Sequence, residues 1–264
     1  MPRGLLVFLL LVLAGAAATF WWNQAPEDVL ELEPPPAAET PPAAPPLGAS
    51  EPQPQGPEAA PVVLPPPAPT EARVALAESD ALARELAGAV SRSALLAPVL
   101  RESGLIERFV AIVDQLAEGN APRRDLAALR PQGAFLVLGR EPELRTDPSS
   151  YPRYDALAQA IAGIDARAAV AAYRQLAALC EESYRALGYP EGGFEQRLRA
   201  ALALLGSTPE IDASPALIAQ VKRYEFADPD LESLADAQKQ LLRMGPSNAA
   251  LVVAKLREIE TALR

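Results

Sequence analysis

Sixteen of the 28 prolines fall between Asn23 and Thr70, interleaved with alanine and glutamate. Proline removes the backbone donor that helices and sheets need, and such a composition buries too little apolar surface to offset the entropy of ordering. Residues 23–70 are therefore expected to be a disordered linker of strong polyproline II character. Its span lies between about 40 Å as a flexible coil and about 150 Å fully extended. Any globular fold is confined to residues 71–264, a length ample for one buried core.

Ahead of the linker, Gly4–Trp22 is a run of nineteen residues without a charge. As a helix it measures roughly 28 Å, close to the ~30 Å hydrocarbon core of a bilayer. Phe20, Trp21 and Trp22 close it with aromatics suited to the membrane–water boundary. The run reads as a transmembrane signal anchor, so the membrane is an expected partner through residues 4–22. A cleaved secretory signal is the competing reading, because Ala14-Gly15-Ala16 and Ala16-Ala17-Ala18 both have the small-x-small form of a cleavage site. Arg3 lies on one flank, and the other carries seven acids (Glu27, Asp28, Glu31, Glu33, Glu39, Glu51, Glu58) with no lysine or arginine before residue 71. The positive-inside tendency places the N-terminus in the cytoplasm and the domain in the periplasm of a bacterial inner membrane.

Of the formal charge of −10, the linker supplies seven, and residues 71–264 are nearly balanced at 23 basic and 27 acidic side chains. No basic footprint for nucleic acid is present, and nucleic-acid binding is excluded. Histidine is absent and Cys180 is the sole cysteine, which removes Ser-His and Cys-His nucleophile pairs, an intramolecular disulfide and a cysteine-based zinc cage. A Ser-Lys pair at the usual spacing is missing too, since none of Lys222, Lys239 and Lys255 follows a serine by three residues.

Within 71–264 the patterning predicts a mainly α, compact multi-helix domain with at most a small β-hairpin. Asp80 is expected to cap a short helix through Leu86, followed by helical runs over Ser93–Arg101 and Gly104–Ala117. Ala134–Leu138, a turn at Gly139–Pro142 and Glu143–Arg145 read as the hairpin. Helix resumes from Ser150 to Ala162. Asp165 then caps Ala166–Leu187, with Val170, Tyr173, Leu176, Ala177, Cys180, Tyr184 and Leu187 on one apolar stripe, and Gly188 and Pro190 stop it. Gly193–Leu205 is a further helix, with Phe194, Leu198, Leu202 and Leu205 inward. Leu217–Phe226 fits helix or strand. Asp228 caps a helix opening at Pro229, another spans Ser233–Met244, and the last begins at Pro246 with Val252, Leu256, Ile259 and Leu263 inward.

Three candidate sites invite chemistry. The acids Glu225, Asp228, Asp230 and Glu232 resemble a cation loop but lack its glycine and ligand order, and capping accounts for Asp228. A glycan-cleaving acid would be Glu182 beside Ser183, although Glu102-Ser103 and Glu232-Ser233 repeat the dipeptide without flanking support. Arg123, Arg124, Arg130, Arg140, Arg145 and Arg153, with Tyr151 and Tyr154, form a region rich in side chains favoured at interfaces. No catalytic, cofactor-binding or metal-ligating set is assigned, and no cofactor is expected. The expected role is non-catalytic binding of another envelope or cell-wall component, with a carboxylate enzyme acting on cell-wall glycan as the alternative.

Tyr224–Pro229, Gln238-Lys239, Leu242–Pro246 and Asn248 together resemble the bacterial family called domain of unknown function 3014. Gly104-Leu105-Ile106 with Arg108-Phe109-Val110, Tyr151 and Tyr154-Asp155, and Gly188-Tyr189-Pro190 add to the likeness, which runs from about Leu82 to the C-terminus. The resemblance implies a membrane-anchored protein of Gram-negative bacteria with a helical domain. It brings no functional residues to carry over.

Overall fold

The computed structural model describes residues 75–264, apart from 91–92, 190–192 and 222. The expected anchor at 4–22, the linker at 23–70 and the Pro190 stop lie outside the described residues.

Helix α1 (Asp80–Val90) and the short α2 (Ala97–Leu100) lead into α3 (Leu105–Ala117). α3 buries Leu105, Ile106, Phe109, Val110, Ile112, Val113 and Leu116, enough of its circumference to sit centrally. The 3₁₀ turns Pro148–Ser150 and Pro152–Tyr154 precede α4 (Asp155–Ala162), and α5 (Ala166–Ala186) and α6 (Phe194–Gly206) follow. α7 (Pro229–Glu232), α8 (Asp236–Arg243) and α9 (Pro246–Leu263) complete the helices. α3 packs on α5 and α6, while α9 packs on α4, α5 and α6. These contacts make one helical core, with Phe109, Tyr154 and Phe194 among its largest enclosed side chains.

The β content exceeds the expected hairpin. β1 (Val137–Leu138) and β2 (Leu144–Thr146) form that hairpin, but β3 (Ala216–Ala219) and β4 (Tyr224–Phe226) add a second one. β2 joins β3 through Leu144 opposite Leu217, which gives a four-stranded antiparallel sheet in the order β1-β2-β3-β4. The two ends of Leu217–Phe226 are strand because Leu217, Tyr224 and Phe226 have an apolar layer to meet: Phe135, Val137, Leu144 and Leu242. The other face carries Leu138, Arg145, Ile218 and Glu225. α8 joins the two cores, since its Leu241 belongs to the helical core and the neighbouring Leu242 to the sheet.

Capping agrees with expectation at two helices and departs from it at a third. Asp165 Oδ1 accepts from the N–H groups of Arg167 and Ala168, and Asp228 Oδ1 accepts from that of Asp230. Asp80 instead is the first residue of its own helix, and its carboxylate caps α3. Oδ1 accepts from Leu105 N at 2.9 Å and Oδ2 from Gly104 N at 3.1 Å. From the same helix Arg84 donates to the carbonyls of Leu100 (2.7 Å) and Glu102 (2.8 Å). Glu181 does for α6 what Asp80 does for α3, accepting from Phe194 N at 2.7 Å. At the C-terminal ends Arg257 reaches Gly206 O and Lys255 reaches Ile164 O, both at 2.7 Å. Such cross-helix partners satisfy the backbone groups that every helix end leaves open.

Three further expectations are corrected. Leu187 leaves the apolar stripe of α5 and is 48% exposed, because the helix ends at Ala186 and Gly188 turns the chain at φ +94°. Ser93–Arg101 divides into a 3₁₀ turn at Ala94–Leu96 and the single turn α2. The helix expected over Ser233–Met244 begins at Asp236, with Leu231 and Leu234 spent on covering the sheet.

Candidate binding site

The acidic run is dispersed by its own local structure. Glu225 accepts from Arg223 and Gln220, and that pairing with Arg223 holds its carboxyl below the ordinary range. Asp228 caps α7. Glu232 accepts from Phe226 N (2.8 Å) and Lys239 Nζ (2.9 Å). Among the described residues no group of three or more cysteines and carboxylates is arranged to hold a metal ion. The Glu-Ser pairs sit on three different elements. Glu182 is exposed on α5 with Ser183 buried beside it, Glu102 pairs with Arg108 at 3.8 Å, and Ser233 Oγ donates to Asp230 O.

The arginine and tyrosine region divides into exposed and enclosed members. Arg124, Arg130, Arg140 and Arg145 are exposed. Arg123, Arg153 and Tyr154 are drawn inward to where α8 meets the sheet, and they are joined there by Arg243 and Gln240. Arg153 lies 4.8 Å above the Tyr154 ring and 5.7 Å from the Phe135 ring, and it donates to the Tyr154 hydroxyl at 3.2 Å. Arg243 lies 5.2 Å from the Phe226 ring. Burial lowers the pKa of Arg243, which Glu232 opposes and the nearby Arg123 reinforces. Burial likewise lowers Arg123 and Arg153, and it raises the Tyr154 phenol, against which both Arg153 and Arg243 act. Two guanidinium groups, those of Arg153 and Arg243, thus act on one buried phenol, and Arg123 lies near the second of them.

Asp236 stands 4.0 Å from Arg123 but also 3.4 Å from Lys239, and Glu232 is engaged by Lys239. Among the described residues the one hydrogen bond of Arg243 is a long contact of 3.4 Å to Tyr224 O, although a guanidinium carries five N–H donors. Gln240 is 1% exposed, and neither its Oε1 nor its Nε2 closes a well-aligned hydrogen bond. The Tyr154 hydroxyl is near it but is already held by Arg153. A buried amide left this way costs about 1–3 kcal/mol, so it asks for an explanation. Sequence spacing pointed to Arg123, Arg153 and Tyr154. It missed Gln240 and Arg243, one turn apart on α8, whose only signal was two polar residues on either side of Leu241-Leu242.

Tyr151 plays another part. Its hydroxyl donates to Ser214 Oγ at 2.8 Å, and its carbonyl accepts from Asn248 Nδ2, which also reaches Asp155 Oδ1 at 2.9 Å. These contacts fix the entry to α9 against α4.

Cys180 is fully enclosed, and burial, followed by the nearby Glu181, pushes its thiol up to about 12. It packs as a small hydrophobe on the α5 stripe. In the folded protein a disulfide exchange reagent at pH 8 is expected to leave Cys180 unmodified, with one thiol titrating in denaturant. Rapid reaction in native buffer would contradict its burial. Because the folded pKa lies above the unfolded value of about 8.5, this contribution is complete below pH 8.5 and is lost as pH rises towards 12. Cys180→Ala is expected to flatten that alkaline decline, read as urea midpoint against pH.

No curated protein and no solved structure shows a match to the chain. The family model described as "Protein of unknown function (DUF3014)" matches residues 105–260, from the first turn of α3 to the last turn of α9. That span is narrower than the likeness from Leu82 and still exceeds half of the chain. Several residues that carry the likeness meet in space as structural partners: Asn248 with Tyr151 and Asp155, and Arg243 over Phe226. The chain belongs to the DUF3014 family.

Proposed function

We propose that this is a single-pass inner-membrane protein, anchored by Gly4–Trp22, that displays its helical domain in the periplasm on the acidic 23–70 stalk. There it binds another envelope component without catalysis, through the junction that gathers Arg123, Arg153, Arg243 and Tyr154. The observation that carries the tether is the order of the chain: Arg3, nineteen uncharged residues, an acid-only linker rich in proline, then a domain of nearly balanced charge. Buried arginine beside aromatic rings supports the binding role, since that combination is favoured where proteins hold partners.

The test is topological. The full chain, tagged at its C-terminus, is expected to remain with membranes after an alkaline carbonate wash. Its domain is expected to resist protease in intact cells and to be digested once the outer membrane is opened. A domain protected in spheroplasts, or a mature chain beginning after Ala16 or Ala18 in the soluble periplasm, would overturn the tether. Cleavage of peptidoglycan by the purified protein, abolished in Glu182→Gln, would overturn the non-catalytic role in favour of the carboxylate enzyme.

A further inference from the structure

We propose that β1 is a self-association edge, where a second copy of this chain adds its own β1 antiparallel and continues the sheet. The fold treats the two ends of the sheet differently. In the order β1-β2-β3-β4, β1 and β4 are the edges. On β4 the bond from Ala227 N to Ala216 O turns the backbone polar groups of Tyr224 and Phe226 outward. The chain meets them there: Phe226 N donates to Glu232 Oε2 at 2.8 Å, and Tyr224 O accepts from Arg243 at 3.4 Å. On β1 the corresponding bond runs from Asp147 N to Leu136 O at 2.8 Å. By the alternation of an antiparallel ladder, Leu136 and Leu138 bond to β2, and the N–H and C=O groups of Phe135 and Val137 turn to the open side. Among the described residues no hydrogen bond reaches those four groups.

The devices that usually protect an edge are missing from this one. Ala134–Leu138 holds no charge and no proline, and Leu136 and Leu138 are 43% and 46% exposed. The run is also its own complement. A two-fold axis through Leu136, its central residue, sets Phe135 opposite Val137 of the second copy, so that both exchange N–H···O bonds. Leu136 then meets its own equivalent in the closer, non-hydrogen-bonded position. The same register carries Arg130, exposed ahead of the strand, towards Glu141 and Glu143, exposed on the turn that follows it in the second copy. Charge is thus complementary at both ends of the paired run. An interface of this extent is small and belongs with reversible associations. It lies apart from the junction of α8 with the sheet and adds a partner of a different kind.

The experiment uses the full chain in mild detergent, followed by size-exclusion chromatography with light scattering across a concentration series. The parent is expected to pass from one to two chains per particle as concentration rises. Leu136→Lys, at a half-exposed position, is expected to keep the parent's urea midpoint and lose the two-chain species, because two like charges would face each other. Leu136→Cys is expected to give a disulfide-linked dimer under mild oxidation, with no background from the enclosed Cys180. Leu138→Cys would stand about 14 Å from its equivalent in this register, and it is expected not to cross-link. A parent that stays a single chain throughout the series, or a two-chain species that survives Leu136→Lys, would overturn the β1 edge. Cross-linking as strong at Leu138→Cys as at Leu136→Cys would overturn it equally.

Discussion

Gly245→Ala is expected to remove a large share of the stability of the domain. Gly245 ends the α8 turn at φ +90° and ψ 158°, a region open to glycine and closed to residues with a Cβ. A Cβ built there stands 2.5 Å from Cγ of Tyr151 and 2.7 Å from both Cδ atoms, inside any tolerable contact. The ring cannot step aside freely, because its hydroxyl is bound to Ser214 and its carbonyl to Asn248. Backbone strain of about 1–3 kcal/mol adds to overpacking of about 1–3 kcal/mol, against a typical total of about 5–15 kcal/mol. A urea titration followed by circular dichroism should show the midpoint falling sharply. Tyr151→Ala in the same background separates the terms. Removing the ring relieves the clash and leaves the dihedral strain, so the double variant should be less damaged than the two single losses added together. A Gly245→Ala protein within about 0.5 kcal/mol of the parent would contradict this account.

Phe194→Ala should produce a loss of comparable size by the opposite means, an empty space. Phe194 is fully enclosed, with ring centroids of Phe109 at 5.3 Å, Tyr184 at 6.0 Å and Tyr173 at 6.2 Å. It brings together α3, α5 and α6 at the point where α6 begins. Truncating a buried phenylalanine costs about 3–5 kcal/mol, part from lost transfer energy and part from the cavity left behind. Near-ultraviolet circular dichroism should weaken in parallel with the urea midpoint, since three tyrosine or phenylalanine rings lose their common neighbour. Phe194→Leu keeps much of the volume and should be distinctly milder. A truncation that left the midpoint unchanged would mean that α6 is not docked as described.

The helical core was legible wherever periodicity and punctuation coincide. Asp165 with Gly188, and Gly245-Pro246 with the spacing of Val252, Leu256, Ile259 and Leu263, each combine a stop or start signal with an apolar stripe, and these helices lie where expected. The sheet was only half legible. Val137–Thr146 is a local hairpin that its own turn announces, and β3 with β4 is a local hairpin too, but the edge that makes them one sheet pairs β3 with β2 more than seventy residues away. No window of sequence contains that partner. Asp80 shows the same limit at one residue: its type says that it caps a helix, and only the packing of α1 beside α3 says which one. At the junction of α8 with the sheet Tyr154 and Arg153 stood out by composition. Arg243 and Gln240 did not, because their burial depends on the sheet that closes over α8.

The grip of α1 on α3 also sets how the domain bears a load. A pull applied ahead of Ala75 enters the fold at the N-terminal end of α1, where Asp80 holds the first amides of α3. One turn further along, Arg84 holds the carbonyls of Leu100 and Glu102. These bonds cluster at the point of entry, so tension would have to break several together before the helix could peel away. Behind them Ala83, Leu86 and Ala87 are seated in the core. Asp80 and Arg84 therefore serve as a strain relief, of the kind that keeps a cable from being drawn out of its socket, at the N-terminal edge of the helical core.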